Sequence, residues 1–301
     1  MAASRPPLFS PAAGPRLLAA GLRGWTALVL LFLISSGLSL IFGLMHVVNL
    51  AHGALYMAGA YFALTAARLT DSFFLALVLA PLMTAVLGAI LERLLLRRTY
   101  GQGMHPQVLL TFGLVFCFDE LVRILWSSQI QIIELPPSLA GTLSIGDIQV
   151  PTYRAFVVVV GVFVVGALLL LFNRTHLGAQ VRGSVDDREM AAALGIDVKR
   201  LFTFMFSLGA ALAGLGGALA VPLFTAYPGM GSEILISALV VVVVGGMGSL
   251  VGSLLASLLV SFAIVFGQVV LAEFATAMIY VVLILFMLFR PQGLMGVARP
   301  T

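Results

Sequence analysis

Nine apolar stretches recur along this chain, near residues 27–48, 51–69, 72–96, 107–126, 154–172, 201–224, 234–248, 249–270 and 273–290. A spanning helix needs about 20 mostly apolar residues to cross a hydrocarbon core about 30 Å thick. Several stretches reach that length, with short polar loops between them. The chain therefore reads as an all-α, polytopic transmembrane bundle of eight or nine helical elements. Adjacent runs at 27–69 and 234–270 lack a long polar break, so some elements there are expected to be broken or re-entrant. Composition agrees: 61% of the 301 residues are hydrophobic and 9% charged, against about a quarter charged in a soluble domain. Residues 1–26 and 298–301 read as tails flanking a membrane domain at 27–297. The run after the first tail is too long for a signal-peptide core and lacks a small-residue cleavage site.

The formal charge of +4 could suggest a nucleic-acid partner, but the positions of the charges argue against one. Basic residues group in the N-terminal tail (Arg5, Arg16, Arg23), at 93–98, at 174–200 and near the C-terminus (Arg290, Arg299). Such groups beside apolar spans mark cytoplasmic loops. Segment 173–200 is placed in the cytoplasm on this ground. One span earlier, 127–153 falls outside, and Arg93, Arg97 and Arg98 return inside. Four crossings after residue 200 bring Arg290 inside as well. If the first three runs all cross, the arginine-bearing tail lies outside; the alternative is a re-entrant early segment. In the outer loop 127–153, Leu143, Ile145, Ile148 and Val150 alternate with polar residues around Gly146 and Asp147, as in a short hairpin. That loop is either a cap or part of a docking surface for an external partner.

Segment 173–200 carries the strongest local signal. Asp186, Asp187 and Glu189 precede a run of Ala191, Ala192, Ala193 and Leu194 that Gly195 ends. Acids in a first turn, helix-forming alanines and a terminal glycine predict a short helix over 186–195. It is either an ordinary surface helix or an element that docks into a partner, its small alanines allowing close approach. Elsewhere, Ala210 and Gly214, Ala213 and Gly217, and Gly248 and Gly252 stand four apart, the spacing that lets membrane helices pack closely. Gly245, Gly246, Gly248 and Gly252 could also break a helix at membrane depth.

Residues 189–195 resemble the E-A-A-x-x-x-G loop of ABC importer permeases, with Met190 where the pattern has its first alanine and without its downstream I-x-L-P. The phrase from Gly178 to Leu219 is similar to permeases of high-affinity branched-chain amino acid importers. So are FGLMHVVNLAHGALYMAGAY at 42–61, VVVGGMGSLVGSLLAS at 242–257 and RPQGLMG at 290–296. Asn49, Ala51, His52 and Gly53 give the N-x-A-H-G arrangement of the LivH-type subunit. The resemblance implies a bacterial inner-membrane permease that works with two ABC ATPase subunits, a LivM-type second permease and a soluble substrate-binding protein. Arg182, Asp186, Asp187, Glu189, Ala191, Ala192 and Gly195 become the candidate ATPase contact. Related systems carry urea, short amides or aromatic acids, so these remain alternative substrates.

The residues fit that role and argue against others. The single lysine, Lys199, has no glycine cradle before it, so the usual P-loop for ATP phosphates is lacking and no enzyme activity or cofactor is expected. His46 and His52 are six apart with no carboxylate beside them, which argues against a metal. Lone Cys117 lies in an apolar run and reads as a packing residue. Asn49, His52 and Tyr56 are costly polar groups at membrane depth; they either line the translocation path or form a buried network at a helix break. Asp119 and Glu120 have the spacing to pair with Arg123 on one helix, or could attract a substrate ammonium. A stand-alone secondary transporter would call for more deeply buried coupling carboxylates than the sequence offers.

Overall fold

The computed structural model describes residues 13–145, 148–270 and 275–295. The described residues form eleven α-helices and one hairpin. Nine helices correspond to the nine apolar runs: α1 (Ala13–Met45), α2 (His52–Thr70), α3 (Phe73–Leu94), α4 (Met104–Trp126), α5 (Thr152–Arg174), α8 (Val198–Phe224), α9 (Met230–Gly245), α10 (Leu250–Val270) and α11 (Ala275–Phe289). The expected count of eight or nine falls short because the 173–200 loop holds two further helices, α6 (His176–Asp186) and α7 (Arg188–Ala193). Strands β1 (Thr142–Ile145) and β2 (Ile148–Pro151) pair antiparallel, with Ile145 opposite Ile148. The Gly146–Asp147 turn expected between them lies outside the described residues, as do the tails at 1–12 and 298–301.

The first helix begins earlier than the first apolar run. Helix α1 starts at Ala13, within the stretch read as a tail, while its apolar span runs from Gly21 to Met45. Alanine, leucine and the arginines there are good helix formers, and a growing helix gains one hydrogen bond for each residue it adds.

Five helices are long and apolar enough to cross a membrane, α1, α3, α5, α8 and α10 among them in whole or part. The bundle is layered. Helices α1, α2 and α8 form a centre whose side chains are largely buried, while α3, α4, α5 and α11 surround it. The outer helices expose valine, leucine and phenylalanine, such as Val78, Leu82 and Val86 on α3 and Val159, Val162 and Phe163 on α5. That arrangement is expected where lipid replaces water as the solvent.

Small residues let the central helices approach. A Cβ on Gly59 of α2 would collide with the backbone of Gly214, and one on Gly217 would strike the Tyr56 carbonyl. Ala210 faces Gly88 of α3. The α8 stripe therefore packs within this chain, since lipid gives membrane helices little hydrophobic drive to associate otherwise. Gly245 and Gly252 press together where α9 and α10 turn back on each other, and Gly43 meets Gly248 in that turn. The turn itself holds Gly246 and Gly248, both with positive φ. The C-terminal segment then caps α9: Leu294 and Met295 donate backbone N–H to the carbonyls of Val244 and Gly245 at 2.8 and 3.1 Å.

Contacts show which elements share an end of the bundle. At the lower end of α1, the Leu44 carbonyl accepts from Arg188 of α7. At the upper end, α1 touches β2. Helix α2 ends near the same outer loop, where Arg68 donates to Gln131. The described N-terminal half of α1 thus shares an end of the bundle with the hairpin.

Candidate functional site

Two places gather the residues singled out in the sequence. The first is the 173–200 segment. Asp187 is the N-cap of α7: its Oδ1 accepts the backbone N–H groups of Glu189 and Met190, at 2.9 Å each. Such a cap satisfies N–H groups that have no partner within the helix. At the other end Gly195 has φ +88 and donates to the Ala192 carbonyl, while Ile196 donates to Ala191, a glycine-dependent helix stop. The expected helix over 186–195 is therefore shorter, because Asp186 closes α6 and Asp187 caps α7.

Exposure divides the candidate contact residues. Asp186, Glu189, Ala192 and Gly195 are exposed, whereas Ala191 is buried against the bundle. Arg182 is turned homeward: its guanidinium donates to the Phe172 carbonyl at 2.6 Å, closing the corner between α5 and α6. Two apolar side chains missing from the sequence-based set, Met190 and Leu194, stand exposed one helical turn apart. Their i, i+4 spacing was readable in the sequence.

Arg188 was also passed over, and it connects α7 to the bundle. One of its terminal nitrogens donates to the Leu44 carbonyl at 2.9 Å and lies 3.2 Å from His46 Nδ1. Its guanidinium carbon sits 5.1 Å from the centre of the Phe202 ring on α8, a cation–π contact. These contacts link α7 to the end of α1 and the start of α8.

Beside it lies a charged cluster that the sequence reading missed. Glu92, fully buried at the end of α3, is clamped by Arg97 at 3.0 and 3.2 Å, by Thr203 at 2.7 Å and by Tyr100 at 3.0 Å. Arg97 reaches on to the Thr203 hydroxyl at 2.6 Å and the Lys199 carbonyl at 3.2 Å. Burial and the neighbouring Glu92 raise the Tyr100 pKa, so its hydroxyl stays a donor. A lone acid inside the apolar end of 72–96 was the available signal.

The second place is the start of α2. His52 Nε2 lies 3.0 Å from the Ile34 carbonyl, eleven residues before α1 ends. At 1.5 Å per residue that is about 16 Å up the helix. Residues 46–51 climb that distance without helix, so the early break expected in 27–69 is a connector rising inside the bundle. Helix α9 also begins inside: Gly53 and Gly231 abut so closely that a Cβ on either would strike the other's carbonyl. Neither N-terminus has a side-chain cap.

All three residues proposed for a path are interior. Asn49 is 1% exposed, His52 fully buried and Tyr56 4% exposed. Among the described residues, both polar atoms of Asn49 and the Nδ1 of His52 have no hydrogen-bond partner. The structure thus seats these side chains at a helix break. An unpaired buried amide costs about 1–3 kcal/mol. Asn49→Leu is accordingly expected to raise the thermal midpoint in detergent while lowering uptake; a lowered midpoint would mean the amide is satisfied in the folded protein.

The paired charges expected on α4 do not form. Among the described residues Arg123 makes no ion pair with Asp119 or Glu120 within 4 Å, and Glu120 and Arg123 are exposed. Among the described residues no group of His, Cys, Asp or Glu could hold a metal.

Residues 22–289 match the family model described as the permease component of the branched-chain amino acid transport system. Among curated proteins, the chain is 29% identical over 278 residues to the high-affinity branched-chain amino acid transport system permease protein BraD of Pseudomonas aeruginosa, covering 88% of this chain and 91% of that one. It is 26% identical to the LivH permease protein of Escherichia coli, covering 88% and 90%. It is 29% identical to the LivM permease protein of the same organism, covering 91% and 70%. No solved structure matches the chain at a significant level.

Proposed function

The chain belongs to the family of branched-chain amino acid transport permeases, and from that premise we propose that it is the LivH-type, membrane-embedded half of an ATP-driven importer in a bacterial plasma membrane. As a permease component it is a multi-pass membrane protein without an ATP site of its own. Its partners in this reading are two ATPase subunits on the α7 side, a second permease beside it and a substrate-binding protein over the hairpin loop. The observation that carries the reading is the α7 arrangement. A capped helix presents Glu189, Met190, Ala192 and Leu194 outward, while Arg188 ties it to α1 and α8.

The proposed cycle follows from those ties. Closure of the ATPase pair moves α7, and Arg188 passes the displacement to the cytoplasmic ends of α1 and α8. Both helices pack on the interior break at Asn49–His52, where two uncapped helix starts meet through glycine backbone. Broken helices of this kind hold substrate sites in transporters, because irregular backbone is tolerated where it lines a cavity. The path binds weakly in this reading, and selection rests with the binding protein.

A pull-down of the tagged chain from mild detergent tests the assignment. ATPase subunits are expected to co-purify with the wild type and to be lost with Glu189→Lys and with Gly195→Trp, which forces a bulky side chain into positive φ. Wild-type protein that purifies alone and moves solute in proteoliposomes without ATP would replace the importer reading with a secondary transporter.

A further inference from the structure

The first turn of α9 carries a carboxylate at membrane depth, Glu233. Its level follows from the packing of the helix break. Gly231 abuts Gly53, and the adjoining His52 lies against the Ile34 carbonyl, near the centre of the apolar span Gly21–Met45. Glu233 comes two residues after Gly231, about 3 Å further along α9. It is exposed on this chain. A charged group at such a level is costly against lipid and is found facing protein or a water-filled cavity.

Two features separate Glu233 from the other exposed acids of the membrane domain. Tyr227, in the loop before α9, donates its hydroxyl to Glu233 Oε2 at 2.6 Å, which fixes one carboxylate oxygen. No base answers the charge, because the ion pairs among the described residues are Arg97–Glu92 and Arg200–Asp197. A negative charge is favourable in the first turn of a helix, and α9 has no side-chain cap. The same break holds Asn49, buried with both polar atoms unpaired among the described residues. Its neighbour Leu50 packs with Leu235, two residues beyond Glu233. A held carboxylate without a base, at a break that also leaves an amide unsatisfied, suits a cation that brings N–H donors. Among the described residues no further His, Cys, Asp or Glu groups with it into a metal-ligand set.

We propose that Glu233, positioned by Tyr227, binds the primary ammonium group of the solute as it passes the helix break. The inference rests on the importer reading above, and it makes the solute an amino acid in preference to urea or a neutral amide. An ammonium offers three donors and a full charge, and charge-assisted hydrogen bonds are about twice as strong as neutral ones. Urea and amides bring donors without the charge and forfeit that gain. Tyr227 acts through the carboxylate, holding it against the start of α9.

The test uses the assembled importer in proteoliposomes with saturating binding protein, so that the maximal rate of ATP-driven leucine uptake reports the permease step. Glu233→Gln keeps the size of the side chain and removes its charge. It is expected to lower maximal uptake about tenfold, with recovery of the partner subunits unchanged. Glu233→Asp restores the charge and is expected to regain part of the rate. Tyr227→Phe leaves the carboxylate but releases it, and should lose less than Glu233→Gln. Glu120→Gln, which neutralises an exposed acid on α4, is expected to match the wild type. Wild-type uptake by Glu233→Gln, an equal loss by Glu120→Gln, or a loss that appears only together with loss of the partner subunits would overturn the assignment. So would a wild type that carries urea or acetamide with ATP and no amino acid, an outcome that leaves the importer reading standing. Leucine uptake by the wild type alone and without ATP removes the importer reading, and this inference with it.

Discussion

Glu92→Ala is expected to lower stability by about 3 kcal/mol. The carboxylate is fully buried and accepts from Arg97, Tyr100 and Thr203. Removing it leaves a guanidinium facing a desolvated pocket, along with two hydroxyl groups that lose an acceptor. Arg97 is one third exposed, so water screens part of the loss, and the low end of the range for broken buried pairs applies. Glu92→Gln keeps the shape and part of the hydrogen bonding, and should lose less than Ala. Thermal unfolding in detergent, followed by circular dichroism, measures both. Equal midpoints for wild type and Glu92→Ala would mean that the cluster contributes nothing to holding α3 on α8.

Arg188→Ala is expected to separate ATP hydrolysis from transport. The guanidinium bridges α7 to the Leu44 carbonyl and the Phe202 ring, and it lies on the surface, so its loss should cost little stability. Coupling between distant sites is typically worth 1–3 kcal/mol. ATP-driven uptake in proteoliposomes of the assembled importer should accordingly fall by about tenfold or more. ATPase co-purification should persist, because Glu189, Met190 and Leu194 still face outward. Arg188→Lys keeps the charge but not the planar fork or the stacking, and should recover only part of the uptake. Loss of ATPase binding together with uptake would make Arg188 a docking residue instead of a connector.

The short helices show how far local sequence reaches. Asp187, the alanine run and Gly195 mark α7 because an N-cap, helix formers and a positive-φ stop act within a few residues of one another. Helix α6 escaped notice, although Leu177, Val181 and Ser184 fall on one face at helical spacing and are buried or half-buried. Two glycines and a polar composition hid that pattern. Asp119 and Arg123 have the spacing of a helical pair, yet they form no ion pair within 4 Å. Spacing permits a local pair but does not set the side-chain rotamers that would close it.

Hydrophobicity and its interruptions determined that this chain lies in a membrane, where its helices fall and which loops share a side. These are properties of single segments, since partition into lipid depends on each segment's own composition. The family likewise was legible in short blocks of residues. Tertiary structure decided what no segment carries alone. It placed the start of α2 about a third of the way up α1, joined two uncapped helix starts through Gly53 and Gly231, and buried Glu92 among donors from two segments, the turn at 97–100 and α8. It also made Arg188 the tie between α7 and the bundle. Each depends on backbone atoms that distant parts of the chain bring within a few ångströms, and only packing sets those distances.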